Sequence, residues 1–335
     1  MPLPHTAFAA RALRALALPL TLPLTLALCA GVHAQDYPNH PVRLITPNAA
    51  GSSIDLLARL IGQKVGDNLG QQFIVDARPG ANGIIAMDAT AKARPDGYTL
   101  AMSVPASMTV NQFIYKSMPY KPLTDLTPIT QATKFSFALV VNPKLPVKSV
   151  ADLVALNKKT AGGLNYSSSG VGNLTHLAVE LLGSQAGTKF NHVPNKGESP
   201  ALIDVMGGQT AFMITTLPSV VPHIKSGQLK LLAVCGTARE PAFPDTPTMT
   251  EAGFPAVQVV GWSGMVGPAG LSSEITRKLQ REVAKVLTTP EARESLSKQG
   301  AEPVASTPEQ FAAFLKSEAD KWSKVVQSAG LAMSE

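Results

Sequence analysis

Three observations predict an α/β protein of two lobes. Short apolar runs alternate with helix-spaced apolar residues throughout the chain after Gln35. One device, a strand followed by a Ser/Gly turn and then a helix, occurs twice, about 120 residues apart. No low-complexity segment interrupts this alternation.

The first device runs from Val42 to Val65. Val42–Ile45 reads as a strand, and Ile54, Leu57, Ile61 and Val65 recur at helical spacing. Ser52 or Ser53 is the N-cap, and Asp55 places negative charge in the first helical turn. Between them lies Asn48-Ala49-Ala50-Gly51-Ser52-Ser53. Side chains this small let an anion approach the amides that a helix start leaves free. The turn is therefore a candidate carboxylate or phosphate site. The alternative is a capped turn with no ligand.

Further elements follow in order. Phe73–Val75 is a strand, Arg78–Gly83 a turn, Ile84–Ala93 a helix and Tyr98–Met102 a strand, completing a βαβαβ unit. Met118–Pro128 holds three prolines and reads as an ordered loop. Phe137–Val141 is a strand, and Ser149–Asn157 a short helix capped by Ser149. Leu164–Tyr166 opens the second device, with Ser167–Gly172 as its turn and Leu174–Leu182 as its helix. Leu229–Val234 is a strand, Pro241–Pro247 a loop and Val257–Met265 an apolar run. Amphipathic helices carry Ile275, Leu279, Val283 and Val286, then Phe311, Leu315, Trp322, Val326 and Ala329.

The N-terminus reads as a secretory signal. Arg11 and Arg14 precede the apolar stretch Ala15–Ala30, and Val32-His33-Ala34 forms a small-x-small cleavage site before Gln35. The stretch is short for a membrane anchor and contains Pro19 and Pro23. Cys29 raises the option of lipid attachment, which Leu28 before it disfavours. Cleavage lowers the net charge from +6 to +4, because two arginines and no acids leave. Mild basicity without a Lys/Arg block points away from nucleic acid. The processed chain retains one cysteine, Cys235, in a buried-strand pattern, so no internal disulfide forms and the core must carry stability.

Several chemistries fail on inspection. There is no H-E-x-x-H, no cysteine pair for zinc and no phosphate-binding G-x-x-x-x-G-K-[ST]. A nucleophile elbow nearly occurs at Gly261-Trp262-Ser263, but Met265 stands where glycine is needed. Gly170-Val171-Gly172 lacks the third glycine of a dinucleotide fingerprint. No cofactor and no metal are expected. His40, His176, His192 and His223 read as structural. A hydrolase would need a Ser/His pair, such as Ser169 with His176 or His192.

An ordered set of motifs resembles the Bordetella-uptake-gene (Bug) type solute receptors, the tripartite tricarboxylate transporter substrate-binding proteins. It begins at Tyr37–Ile45 with Pro47–Asp55 and continues through Arg78–Gly83 and Arg94–Leu100. It resumes at Tyr166–Gly172 with His176, His192–Gly197, Pro222–Gly227 and Pro244–Thr248. Gly261–Gly264 and Pro268–Gly270 complete it. The resemblance implies a type II periplasmic-binding fold, with two lobes of mixed, mostly parallel sheets around a ligand cleft. It implies residues 35–139 and 261–335 in one lobe and 140–260 in the other, crossing near Val140 and Gly261. It further implies a periplasmic, monomeric receptor for a small organic acid, working with membrane transporter subunits and catalysing nothing. A sensor subunit that presents its ligand to a membrane signalling protein is the alternative.

On this reading Asn48, Ala49, Ala50, Gly51, Ser52 and Ser53 hold one carboxylate. Ser168, Ser169 and Gly170 answer from the second lobe, with Thr215 and Thr216 as further candidates. The bland role of Ser168 and Ser169 is to cap the Leu174 helix. Asp55 and His176 support the site rather than touch the ligand. Asn48 replaces the family's usual aromatic, which makes the pocket more polar. No carboxylate lies in Gly208–Pro218, which argues for a ligand without an ammonium group.

Overall fold

Val42, Leu44 and Ile45 are fully buried, and they anchor the first strand, β1 (Val42–Thr46). The computed structural model describes residues 37–298 and 300–328, so the expected export segment and its expected cleavage site lie outside the described residues. Ser52 caps α1 (Ser53–Leu69), accepting from the Asp55 amide, and Gly70 ends it in the left-handed conformation. β2 (Phe73–Ala77), α2 (Ile84–Ala91) and β3 (Thr99–Ser103) complete the first βαβαβ unit, with β2 and β3 both parallel to β1. A π-turn (Ala106–Val110) and α3 (Asn111–Ile114) follow.

β4 (Leu126–Val141) is one sixteen-residue strand. The expected loop through Pro128 is thus partly strand. Pro128 cannot donate to a ladder, and the register shifts between Pro128 and Thr130 and again between Gln131 and Thr133. Those irregularities break the alternation that would have revealed the strand. The rest of the second βα set is α4 (Val150–Lys159), β5 (Asn165–Ser168), α5 (Leu174–Ala186), β6 (Asn191–Pro194), α6 (Glu198–Gly207), β7 (Phe212–Thr216), α7 (Leu217–Lys225) and β8 (Lys230–Val234). β9 (Val260–Pro268), α8 (Ser273–Leu287), α9 (Pro290–Lys298), β10 (Ala301–Pro303) and α10 (Pro308–Ser328) close the chain. Ser149 caps α4 as expected. Asn173, not Ser168 or Ser169, caps α5.

The strand order is β2-β1-β3-β9-β4-β7-β5-β6, with β8 and β10 also on β4. β4 pairs with β9 from Leu126 to Ser136, then with β7 and β8 from Phe137 to Val141. One strand therefore serves both lobes. β1–β3 run parallel to one another, as do β5–β7, whereas β9 is antiparallel to β3 and every strand meeting β4 is antiparallel to it. Helices cover both faces of each sheet, as parallel strands require. Leu44, Ile61, Leu100 and Val283 pack on one face of the first lobe, and Ile45, Met87, Trp262 and Phe311 on the other. In the second lobe Leu139, Tyr166 and Phe212 oppose Val140, Met213 and Val220. α10 joins both: Phe311 and Leu315 pack in the first lobe, Trp322 and Val326 in the second.

Candidate functional site

β1 and β2 are parallel, so the turns that follow them leave from the same sheet edge. The same holds for β5, β6 and β7. Ligands of open α/β sheets bind outside these carboxyl ends.

The first turn is exposed from Ala49 to Gly51, with Asn48 and Ser52 half-buried. Asp55, whose side chain is 1% exposed, holds it from beneath. Its Oδ2 accepts from the Gly51 amide at 2.9 Å and from Arg59 Nε at 2.9 Å. The Ser52 amide donates to Ala49 O at 3.2 Å. Gly51 and Ser52 therefore have no amide to offer a ligand. Among the described residues the amides of Ala49, Ala50, Ser53 and Ile54 have no internal partner, and they crowd the start of α1.

The second turn uses three of its amides internally, while among the described residues that of the exposed Val171 has no partner. Ser169 N donates to Thr175 Oγ1 at 2.9 Å, Gly170 N to Ser168 Oγ at 3.2 Å and Gly172 N to His176 Nδ1 at 3.0 Å. Ser168 is fully buried, and its Oγ lies 2.6 Å from His192 Nε2. It is thus a structural hydroxyl, whereas the half-buried Ser169 hydroxyl has no protein partner. The His176 and His192 rings stack with centroids 4.0 Å apart. Burial pushes both imidazoles down to about 4, so both are neutral at neutral pH. Because Nδ1 of His176 accepts, its Nε2 carries the proton, 3.7 Å from Glu180 Oε1. His176 thus orders the turn. The Ser/His pairing is Ser168 with His192, not the Ser169 pairing that a hydrolase reading anticipates.

Asn82, in the turn after β2, reaches the second turn. Its Nδ2 donates to Val171 O at 2.9 Å and to Tyr115 Oη at 3.1 Å, while its carbonyl accepts from Asn111 Nδ2 at 3.1 Å. A Cβ on neighbouring Gly83 would stand 3.1 Å from Pro47, and one on Gly172 would stand 2.6 Å from Ile114. The carboxyl edges of the two lobes therefore meet here. They approach again where Gly300 faces Leu217, 2.7 Å from the position of a Cβ.

Between these two contacts lie Thr215 and Thr216. Their hydroxyls, with that of Ser219, converge on Oε1 of Glu198. Thr216 Oγ1 and Ser219 Oγ each lie 2.8 Å from it, and the Thr216 amide donates at 3.3 Å. This adds two facts that the sequence reading did not hold. The threonine hydroxyls are already engaged, and a carboxylate does stand beside them, donated by α6. Glu198 and Asn82 were missed because their partners are 17–21 and 89 residues away. A signal was available at Asn82, which sits between Gly80 and Gly83 and has φ 50°. A recess of about 450 Å³ along α5 and the following loop, lined by Leu181, Gly183 and Phe190, touches neither turn. Among the described residues no cluster of three His, Cys, Asp or Glu could hold a metal.

The sequence model described as the tripartite tricarboxylate transporter family receptor, TctC, matches residues 57–331. The chain belongs to this family. Protein BugT of Bordetella pertussis (strain Tohama I) is 37% identical over 307 residues, covering 91% of this chain and 94% of that one. The solved structure of R. palustris Rpa4515 with adipate is 34% identical, with a TM-score of 0.85, covering 88% of this chain and 99% of that one. MatC (Rpa3494) from Rhodopseudomonas palustris with bound malate is 29% identical, with a TM-score of 0.81, covering 87% of this chain and 100% of that one. The two-lobed fold is that of periplasmic solute-binding receptors. No described helix is long and apolar enough to cross a membrane.

Proposed function

We propose that this protein is an exported receptor that captures a small organic carboxylate between its lobes and delivers it to the membrane subunits of a tripartite transporter. The observation that carries this is the set of amides at Ala49, Ala50, Ser53 and Ile54, unpartnered among the described residues, at the same sheet edge whose Asn82 turn is bonded to the second lobe. The adipate and malate held by two relatives fit the same chemistry. A charge at a helix start gains at most about 2 kcal/mol, whereas micromolar binding needs about 8. The remainder must come from enclosure and from the second lobe, where among the described residues the half-buried Ser169 hydroxyl has no partner. The two lobes hinge where β4 changes partners at Ser136/Phe137, a few residues before the expected crossing at Val140, with α10 reaching from the first lobe onto the second. The receptor works as a periplasmic monomer after cleavage near Ala34. It performs no catalysis: Ser168, the hydroxyl that meets an imidazole, is sealed from any substrate.

Thermal unfolding of the processed protein against carboxylates and neutral sugars tests this. Ligand at a hundred times its dissociation constant adds about 2.7 kcal/mol of stability. An upward shift with carboxylates alone is expected. No shift with any of them, in protein that carries no co-purified acid by mass spectrometry, overturns the proposal.

A further inference from the structure

We propose that Glu198 sets what this cleft accepts at the end remote from the Ala49–Ile54 turn: the ligand presents an ammonium group there, not a second carboxylate. The inference rests on the receptor reading above. Its basis is the arrangement around Glu198. Three hydroxyls and one amide, from Thr215, Thr216 and Ser219, surround a single carboxylate oxygen at the start of α7. Without Glu198 these donors would form a seat for a carboxylate brought by the ligand. With it, the seat is filled by the protein's own acid.

Every partner of Glu198 is neutral, so its charge is not cancelled. The residue is half-buried, and among the described residues every hydrogen bond it receives ends on Oε1, none on Oε2. Its place is the carboxyl edge of the second lobe. On one side Val171 is bonded to Asn82, and on the other Leu217 abuts Gly300, so the edge between them faces the first lobe. A ligand clamped by one carboxylate at the first turn thus meets an anionic oxygen at the other end. Like charges brought together in a closed cleft repel, and a cationic donor there is attracted. The class of ligand is a carboxylate with an ammonium at its far end. The family relatives that hold adipate and malate take diacids, so this chain differs from them in the charge it accepts.

The test uses pairs matched in length: succinate with β-alanine, glutarate with 4-aminobutyrate, adipate with 5-aminopentanoate. Affinities are measured by calorimetry on protein purified from the periplasm of cells expressing the full chain, wild type and Glu198→Gln. Wild type is expected to favour the amine of its best pair by about tenfold or more, and Glu198→Gln to reduce that preference about tenfold. The wild-type comparison stands even if the variant fails to fold. A diacid bound by wild type as tightly as its amine partner overturns this inference and leaves the receptor reading intact. An amine preference that survives unchanged in folded Glu198→Gln overturns the assignment to Glu198. Failure of wild type to bind any carboxylate overturns both readings together.

Discussion

The turns after β1 and β5 look alike in sequence and do opposite things with their amides. Ala49–Ser53 is open to solvent, pinned from below by one buried acid, and leaves four amides unspent around the start of α1. Ser167–Gly172 spends three amides on Ser168, Thr175 and His176, backs them with a stacked imidazole pair and leaves only that of Val171 unspent among the described residues. A Ser/Gly turn before a helix is therefore not a binding site until its donors have been accounted for. On the proposed reading the first turn receives the anion, and the second contributes the Ser169 hydroxyl, the Val171 amide and the contact with Asn82.

The largest expected effect comes from removing the pin. Asp55→Ala strips the Gly51 amide and Arg59 of their acceptor, and we expect a loss of about 3 kcal/mol in urea unfolding. Carboxylate binding should fall at least tenfold. Unaltered binding would mean the first turn holds its shape without Asp55.

Acid should strike the second turn instead. Its imidazoles bind protons near pH 6.5 when unfolded and only near pH 4 when folded. Between those values the unfolded chain carries more protons, so stability is full above about pH 6.5 and declines as pH falls toward 4. The loss should be on the order of 2 kcal/mol for the coupled pair. His192→Gln should flatten the melting temperature across this range. An equally steep profile in that variant would place the acid sensitivity elsewhere.

The two serines sharpen the contrast further. Ser168→Ala leaves the Gly170 amide unmet in a buried site and should cost about 1–2 kcal/mol of stability with little effect on affinity. Ser169→Ala should cost several-fold in affinity and nothing in stability. Calorimetric binding and urea curves on both proteins decide the matter, and an exchange of the two outcomes would reverse the roles. The smallest effect is expected at Asn82→Ala. It removes the bond to Val171 that joins the lobes and should widen the ligand-free scattering profile while weakening binding a few-fold.

Local chemistry made much of the fold legible. The caps at Ser52 and Ser149 and the strand–turn–helix order from Val42 to Met102 follow from short-range periodicity. β4 was only half legible, because Pro128 and two register shifts hide its alternation. β6, β7 and β10 are three to five residues long, too short for a period to show, and α7 contains Pro218 and Pro222. At the site, Asp55 was readable as a support because its partners Gly51 and Arg59 lie four residues away. The partner of Thr215 and Thr216 was not legible, because Glu198 belongs to another helix.

The sequence alone determined the α/β class, the family and the places where helix starts would point into a cleft. Those properties depend on residues within a few positions of each other, and periodicity records them. Only the tertiary structure decided which amides stay free, which serine is sealed and which acid fills the threonine seat. Each of those outcomes is a competition among hydrogen-bond partners from separate elements, and it is settled by which groups the packed lobes bring within 3 Å of each other.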